Sequence, residues 1–161
     1  MNVSLREITP ENFKECIDLK VADEQSLFVA SNLMSIAQAK IYPSRHPMAV
    51  YTGEKMVGFV MFGHDPDDGK FYLGRLMIAA EHQGKGYGKA TVLAVIEKLR
   101  ENPDCREIYL SFVPENTHAE RVYEKIGFER TGEISEGEIV MRYKMENNAN
   151  PNSEIQNPKS N

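Results

Sequence analysis

A glycine-rich bend between two strongly apolar segments limits what this chain can fold into more than any other feature. The bend runs from Gln83 to Lys89 (QGKGYGK), after a β-prone run at 71–78 and before an apolar run with helical spacing at 92–99. Backbone N–H groups at a helix start have no partners in the helix, and glycine lets an anion approach them closely. The sequence therefore predicts a diphosphate site, to which Lys85 and Lys89 add positive charge.

Two common nucleotide-binding motifs do not fit this bend. A P-loop, GxxxxGK[ST], counted from Gly84 requires glycine at position 89, where the chain has Lys89. The dinucleotide fingerprint GxGxxG counted from Gly84 requires glycine at the same position, and the strands before the bend form a meander rather than a βαβ unit. The remaining alternative is a solvated loop in which the glycines only turn the chain.

The rest of the chain predicts one mixed α/β domain over residues 1–145. Its last stretch, 146–161, has one sizeable aliphatic residue, Ile155, and is predicted to be a disordered tail. A helix is predicted after Ser31. Three of its residues are predicted to face the core: Leu33, Ile36 and Ala37. The predicted elements are a short strand at 3–5, a helix capped by Thr9 that starts at Pro10, a helix after Ser31, strands at 48–51, 56–62 and 71–78, a helix at 92–99, a strand at 108–113, a helix at 117–126 ended by Gly127, and strands at 128–134 and 138–145.

Charge and composition exclude several classes of partner. The chain has 161 residues and a formal charge of −5, which argues against a nucleic-acid binder because such proteins usually carry a basic stripe. Cys16 and Cys105 have no partners at metal-ligand spacing, so we expect reduced thiols and no metal site. The sequence has neither a signal peptide nor an apolar run long enough to span a membrane, and we expect a cytoplasmic protein without a membrane partner.

The bend resembles the acetyl-coenzyme A motif of the GNAT superfamily of N-acetyltransferases. That motif is Gln or Arg, two residues, Gly, any residue, and Gly or Ala, and Gln83, Gly86 and Gly88 match it. A second block, from Asn116 to Phe128, matches the superfamily element N-x-x-A-x-x-x-Y-x-x-x-G-F. The resemblance covers roughly residues 3 to 145. It implies a mixed, mostly antiparallel sheet of six to seven strands, flanked by about four helices and splayed between the fourth and fifth strands.

The resemblance also implies a cosubstrate, acetyl-coenzyme A, and the residues that bind it. In relatives, the pantetheine arm pairs with the backbone of the strand before the bend, and the pyrophosphate lies on the N–H groups of the bend. One backbone N–H beside the thioester oxygen would stabilise charge that develops during attack by the amine. The implied coenzyme-binding residues are Leu76, Met77, Ile78, Gln83, Gly84, Lys85, Gly86, Tyr87, Gly88, Lys89, Asn116, Ala119, Tyr123 and Lys125.

Tyr123 matches the tyrosine that relatives place beside the sulfur, which implies a general acid for the departing thiolate. Its alternative is a core tyrosine on an amphipathic helix. A base is also required, because an alkyl amine with a pKa near 10.4 is mostly protonated at pH 7. Glu24 and Glu81 are candidates, each with the alternative of an ordinary surface charge. All four histidines, His46, His64, His82 and His118, are interpreted as solvated.

Within the superfamily, the chain is most similar to bacterial spermine/spermidine (diamine) N-acetyltransferases, through residues 23–30, 57–63 and 72–78. This similarity implies acceptor-binding roles for Asp23, Glu24, Tyr72 and Gly74, with Glu24 as a base or a substrate anchor. Several relatives have an acidic residue at the position of Gly74, so that contact does not carry over directly. Glu24 and Asp23 could instead pair with the second ammonium of a polyamine.

The sequence thus predicts acetyl transfer to a primary amine, most simply a polyamine such as spermidine or spermine, by direct attack in a ternary complex. One alternative is the same chemistry on another amine: an amino acid, an aminoglycoside or a protein N-terminus. The other is a non-catalytic acyl-coenzyme A-binding regulatory module. Superfamily members are often dimers, which implies a homodimer.

Overall fold

The computed structural model describes residues 2–146, which form one mixed sheet with helices on both faces. The seven strands lie in the order β1-β2-β3-β4-β5-β7-β6, and all neighbours are antiparallel except β4 and β5. The predicted mixed α/β fold is confirmed. The elements are β1 (Ser4–Glu7), α1 (Phe13–Asp18), a 3₁₀ turn (Asp23–Gln25), α2 (Asn32–Ile41), β2 (Arg45–Thr52), β3 (Lys55–His64), β4 (Phe71–Ile78), a second 3₁₀ turn (Ala80–His82), α3 (Tyr87–Arg100), β5 (Glu107–Phe112), α4 (Thr117–Ile126), β6 (Glu129–Ser135) and β7 (Glu138–Lys144).

Each face of the sheet has its own hydrophobic core. Side chains alternate between the two faces of a strand, so Val60 points to one core and Phe59 to the other. The larger core, which we call the α3 face, holds Val92, Val95 and Ile96 of α3. The smaller core, the α1 face, contains Cys16 of α1. β3 has a hydrophobic core on each of its two faces, so all of its residues except those at the two ends are buried. It is the central strand of the fold.

β4 and β5 pair over only two positions before they separate. Phe71 lies opposite Ile108 and Tyr72 opposite Tyr109, and no further pair joins these parallel strands. Just beyond, the register of β4 against β3 shifts by one residue at Gly74, which bends β4 away from β5. The predicted separation between the fourth and fifth strands is confirmed.

The predicted start of the first helix is wrong by three residues. The helix begins at Phe13, because Pro10 to Asn12 form a turn in which the Phe13 N–H donates to the Thr9 carbonyl oxygen at 2.8 Å. Asn12, rather than Thr9, precedes the helix, and its side-chain oxygen accepts from the Thr9 N–H at 2.8 Å. The helix ends at Asp18, and Val21 lies in the loop that follows.

The inner face of α2 also differs from the prediction. α2 starts after Ser31 as predicted, and the Ser31 side chain caps it, but Leu33 is 53% exposed while Asn32 and Ser35 are buried. The side-chain amide of Asn32 donates to the Cys16 carbonyl oxygen at 2.8 Å, so its polar group is buried without losing a hydrogen bond. Of Leu33, Ile36 and Ala37, the three residues predicted to face the core, only Ile36 packs on the α1-face core. Hydrophobic periodicity alone cannot reveal a buried polar contact such as that of Asn32.

A Gly58→Ala substitution tests how closely β3 and β4 approach each other. A Cβ atom at Gly58 would lie 2.4 Å from the Met77 carbonyl oxygen, whereas one at Gly74 would have no neighbour closer than 3.7 Å. Gly58→Ala should therefore lower the free energy of unfolding by about 1–3 kcal/mol, the usual cost of overpacking. Gly74→Ala, the matched control, should change it by less than about 1 kcal/mol. Equal denaturation midpoints for the two variants would contradict the close approach.

Candidate active site

The separation of β4 and β5 opens a cleft of about 880 Å³ that passes through the sheet. β4 and β5 form two of its walls, and the bend before α3 and the start of α4 close one end. The segment between α1 and α2 covers the other side. Residues from these five parts of the chain, with one from β7, line the cleft: Val21, 25–30, 73–78, His82, Gln83, Gly84, 86–89, Ser111, Phe112, Asn116, His118, Ala119, Val122, Tyr123 and Glu138.

The glycine-rich bend presents unpaired backbone N–H groups to this cleft. Gly86 is the N-cap residue of α3 and has a left-handed conformation, with φ of 83°, which glycine adopts at no steric cost. No side chain of residues 2–146 caps the helix, and the first helical bond at this end runs from the Ala90 N–H to the Gly86 carbonyl oxygen at 3.1 Å. The N–H groups at 87–89 consequently face the cleft at the positive end of a 14-residue helix.

Gln83 fixes the bend relative to both walls of the cleft. Its side-chain nitrogen donates to the Ile78 carbonyl oxygen at 2.9 Å and to Oε1 of Gln25 at 2.7 Å. The first bond holds the end of β4, and the second holds the segment that leads into α2. The motif glutamine thus sets the position of the bend through protein contacts.

Tyr123 lies on α4 with its ring buried and its side chain against the cleft. The ring contacts Phe112 and Phe128, at centroid distances of 6.0 and 5.8 Å, and Tyr123 is 8% exposed. Burial raises the pKa of its hydroxyl to about 12, so the phenol keeps its proton throughout the physiological range. Asn116 caps α4, accepting from the Ala119 N–H at 3.2 Å, which leaves its side-chain NH₂ available to the cleft.

His82 is not solvated, contrary to the sequence interpretation. It is 5% exposed and lies between β4 and α3, where its ring meets Tyr87 edge-on at 6.5 Å. Burial lowers the pKa of the imidazole, which favours the neutral ring. The other three histidines, His46, His64 and His118, are exposed as predicted, although His118 lines the cleft.

Most of the predicted coenzyme residues line the cleft, but some predicted site residues do not. Lys85 points away, and its ammonium group donates to the Glu81 carbonyl oxygen at 2.9 Å. Tyr72 lies where β4 and β5 still pair, and its hydroxyl donates to Asp68 at 2.5 Å. Asp23, Glu24, Glu81 and Lys125 are exposed residues outside the lining.

Sequence reasoning missed Ser111 and Glu138. Both line the cleft, and the Ser111 hydroxyl donates a hydrogen bond to the Glu138 carboxylate. Among the described residues, Glu138 is the one carboxylate in the lining. No motif marks it, because its place in the cleft depends on the pairing of β5 with β7. The one signal in the sequence is the alternation of polar Glu138 with apolar Ile139, which places Glu138 on the opposite face of the strand from the buried Ile139.

Residues 2–146 contain neither a metal-binding cluster nor a helix that could span a membrane. No group of three or more His, Cys, Asp or Glu side chains in this part of the chain could hold a metal ion. In the same range, every helix is too short or too polar to cross a lipid bilayer. The two cysteines are free and buried, and burial raises the pKa of each thiol to about 11.

The splayed sheet and the bend define the class of protein as an N-acetyltransferase. The model of the acetyltransferase (GNAT) family matches residues 5–128, and the chain belongs to this family. It is similar to the spermine/spermidine N(1)-acetyltransferase of Bacillus subtilis strain 168, with 34% identity over 88% of this chain and 97% of that protein. An aminoglycoside N(6')-acetyltransferase type 1 of Klebsiella pneumoniae is 37% identical over 44% of this chain and 35% of that protein.

Solved structures share the fold. An aminoglycoside acetyltransferase in complex with coenzyme A superposes with a TM-score of 0.73 at 22% identity, covering 89% of this chain and 95% of that chain. The spermidine N-acetyltransferase of Vibrio cholerae, in complex with coenzyme A and spermine, superposes with a TM-score of 0.69 at 20% identity, covering 88% and 93%. These superpositions confirm the predicted architecture. The family match and the similarity to the Bacillus subtilis enzyme confirm the predicted enzyme class.

Proposed function

We propose that this enzyme transfers an acetyl group from acetyl-coenzyme A to a primary amine of a polyamine such as spermidine or spermine. The observation that carries the proposal is the cleft between β4 and β5, which joins the free N–H groups of the bend to the buried hydroxyl of Tyr123. A thioester bound along this cleft supplies an activated acetyl group. The amine attacks it directly in a ternary complex.

The residues of the cleft fit coenzyme A in chemical type. The N–H groups at 87–89 and the charge of Lys89 suit a diphosphate. Beyond Tyr72, β4 has no strand partner on the side of β5, so the backbone of Leu76, Met77 and Ile78 is available to an extended amide chain. The side-chain NH₂ of Asn116 is a donor on the opposite wall. Lys85 and Lys125, which lie outside the lining, would act on phosphates only at the rim.

Tyr123 is proposed as the proton donor. The residue is 8% exposed, its hydroxyl is protonated below a pH of about 12, and that hydroxyl makes no hydrogen bond to another described residue. A donor without a competing partner is free to bond a group in the cleft. Its aromatic neighbours, Phe112 and Phe128, fix the ring and exclude water from this wall.

The acceptor is proposed from the relatives and from the apolar lining that segment 27–30 adds to the cleft. The similarity to polyamine acetyltransferases spans 88% of this chain, whereas the similarity to the aminoglycoside enzyme spans 44%. Segment 27–30 adds Leu27, Phe28, Val29 and Ala30 to the lining, which suits the methylene chain of a polyamine. Asp23 and Glu24, exposed just before this segment, remain predicted anchors. A homodimer also remains a prediction.

Thiol release from acetyl-coenzyme A in the presence of single amines tests the acceptor. We expect turnover with spermidine and spermine, and a kcat/KM at least tenfold lower with kanamycin or with free amino acids. Turnover confined to another class of amine would overturn the polyamine acceptor. Binding of coenzyme A with no turnover on any amine would indicate a regulatory module instead.

Tyr123→Phe tests the proton donor. The ring and its packing are kept, so KM for acetyl-coenzyme A should change little while kcat falls roughly 100-fold or more. Because the hydroxyl of Tyr123 keeps its proton up to a pH of about 12, the wild-type rate should show no alkaline decline from this group between pH 8 and 10. A raised KM with unchanged kcat would assign Tyr123 to binding alone, and Tyr42→Phe, at an exposed tyrosine, is the control.

A further inference from the structure

We propose that Glu138, positioned by Ser111, binds the ammonium group of the acceptor that is not acetylated. The proposal rests on the function above and names the residue that selects a diamine over a monoamine. It starts from the composition of the cleft, in which Glu138 is the one carboxylate among the described lining residues. Among residues 2–146, no other carboxylate inside the cleft is available to a cationic acceptor.

The register of β5 and β7 places this carboxylate on the α1 face of the sheet. Phe112 lies opposite Ile139, and both belong to the α3-face core together with Tyr123. Neighbouring residues of a strand point to opposite faces, so Ser111 and Glu138 point to the α1 face. Glu138 and Tyr123 consequently border the same cleft from opposite faces of the sheet.

Segment 27–30 lies on the same face as Glu138. Val29 packs against the α1-face core, which includes Met77 of β4. An acceptor that approaches from this face therefore has an apolar wall on the side of segment 27–30 and a carboxylate on the side of β7. This arrangement suits an alkyl chain that carries a charge at one end.

The chemistry assigns Glu138 to the nitrogen that does not react. A carboxylate paired with an ammonium group stabilises the protonated form and raises its pKa. The attacking nitrogen must lose its proton, so a permanent ion pair there would oppose the reaction. The second ammonium keeps its charge throughout. A charge-assisted hydrogen bond to the second ammonium contributes the same binding free energy in the ground state as in the transition state of the transfer.

Ser111 holds the carboxylate in place for this contact. Its hydroxyl donates to one oxygen of Glu138, and the carboxylate makes no ion pair with another residue of the described part of the chain. The second oxygen is therefore free to accept from a ligand. Ser111 is a positioning residue, because its contact with the acceptor runs through Glu138.

The test compares 1,4-diaminobutane with n-butylamine on wild-type protein and on Glu138→Gln, by calorimetric binding in the presence of coenzyme A and by turnover. Loss of one charged contact should weaken binding of the diamine and raise its KM roughly 10- to 100-fold. Binding of n-butylamine and kcat for both amines should change less than threefold. Ser111→Ala should shift the diamine in the same direction by a smaller factor, and Glu138→Asp should restore part of the affinity.

Glu133→Gln is the control, since it removes an exposed carboxylate from the same β6–β7 hairpin outside the cleft lining. Equal diamine binding by wild type and Glu138→Gln, or binding of neither amine by wild type, would overturn the anchor. A kcat lowered for both amines with unchanged KM would also overturn it and would place Glu138 at the reacting nitrogen. Failure of the proposed function gives a different result: the diamine binds wild type more tightly than Glu138→Gln, but no acetyl group is transferred to it.

Discussion

The early end of pairing between β4 and β5 is the constraint on which the rest of this structure depends. Two residue pairs hold the strands together at Phe71 and Tyr72, and the shift at Gly74 then turns β4 away. A sheet that stayed paired would bury the backbone of Leu76 to Ile78 against β5 and leave no cleft. Because helices and loops pack on both faces of the sheet, the gap between β4 and β5 connects the α3 face with the α1 face.

The α3 face and the α1 face supply different chemical groups to the cleft. On the α3 face, aromatic neighbours bury Tyr123 and raise its pKa to about 12, which keeps a proton in place. On the α1 face, Glu138 supplies negative charge beside the apolar segment 27–30. Low polarity on one side and the Glu138 carboxylate on the other suit a reaction in which a proton is needed at one point and a cation is held at another.

The sequence predicted the fold and the bend because their signals are local. Glycines at 84, 86 and 88 and the stop at Gly127 each act within a few residues. Except for the start of α1, which a local turn between Thr9 and Asn12 sets, the errors came from contacts distant in sequence. Asn32 is buried because it reaches Cys16, His82 is buried between two elements, and Glu138 enters the cleft through strand pairing.

Hydrogen exchange with and without coenzyme A tests the central claim that the bend and the free side of β4 bind one ligand together. With saturating coenzyme A, we expect slower amide exchange in both 84–89 and 73–78, and unchanged exchange in β6 at 129–134, which lies outside the cleft lining. Stabilisation of the bound state should also raise the melting temperature. Unchanged exchange in both segments at saturating ligand, with no rise in melting temperature, would contradict the account.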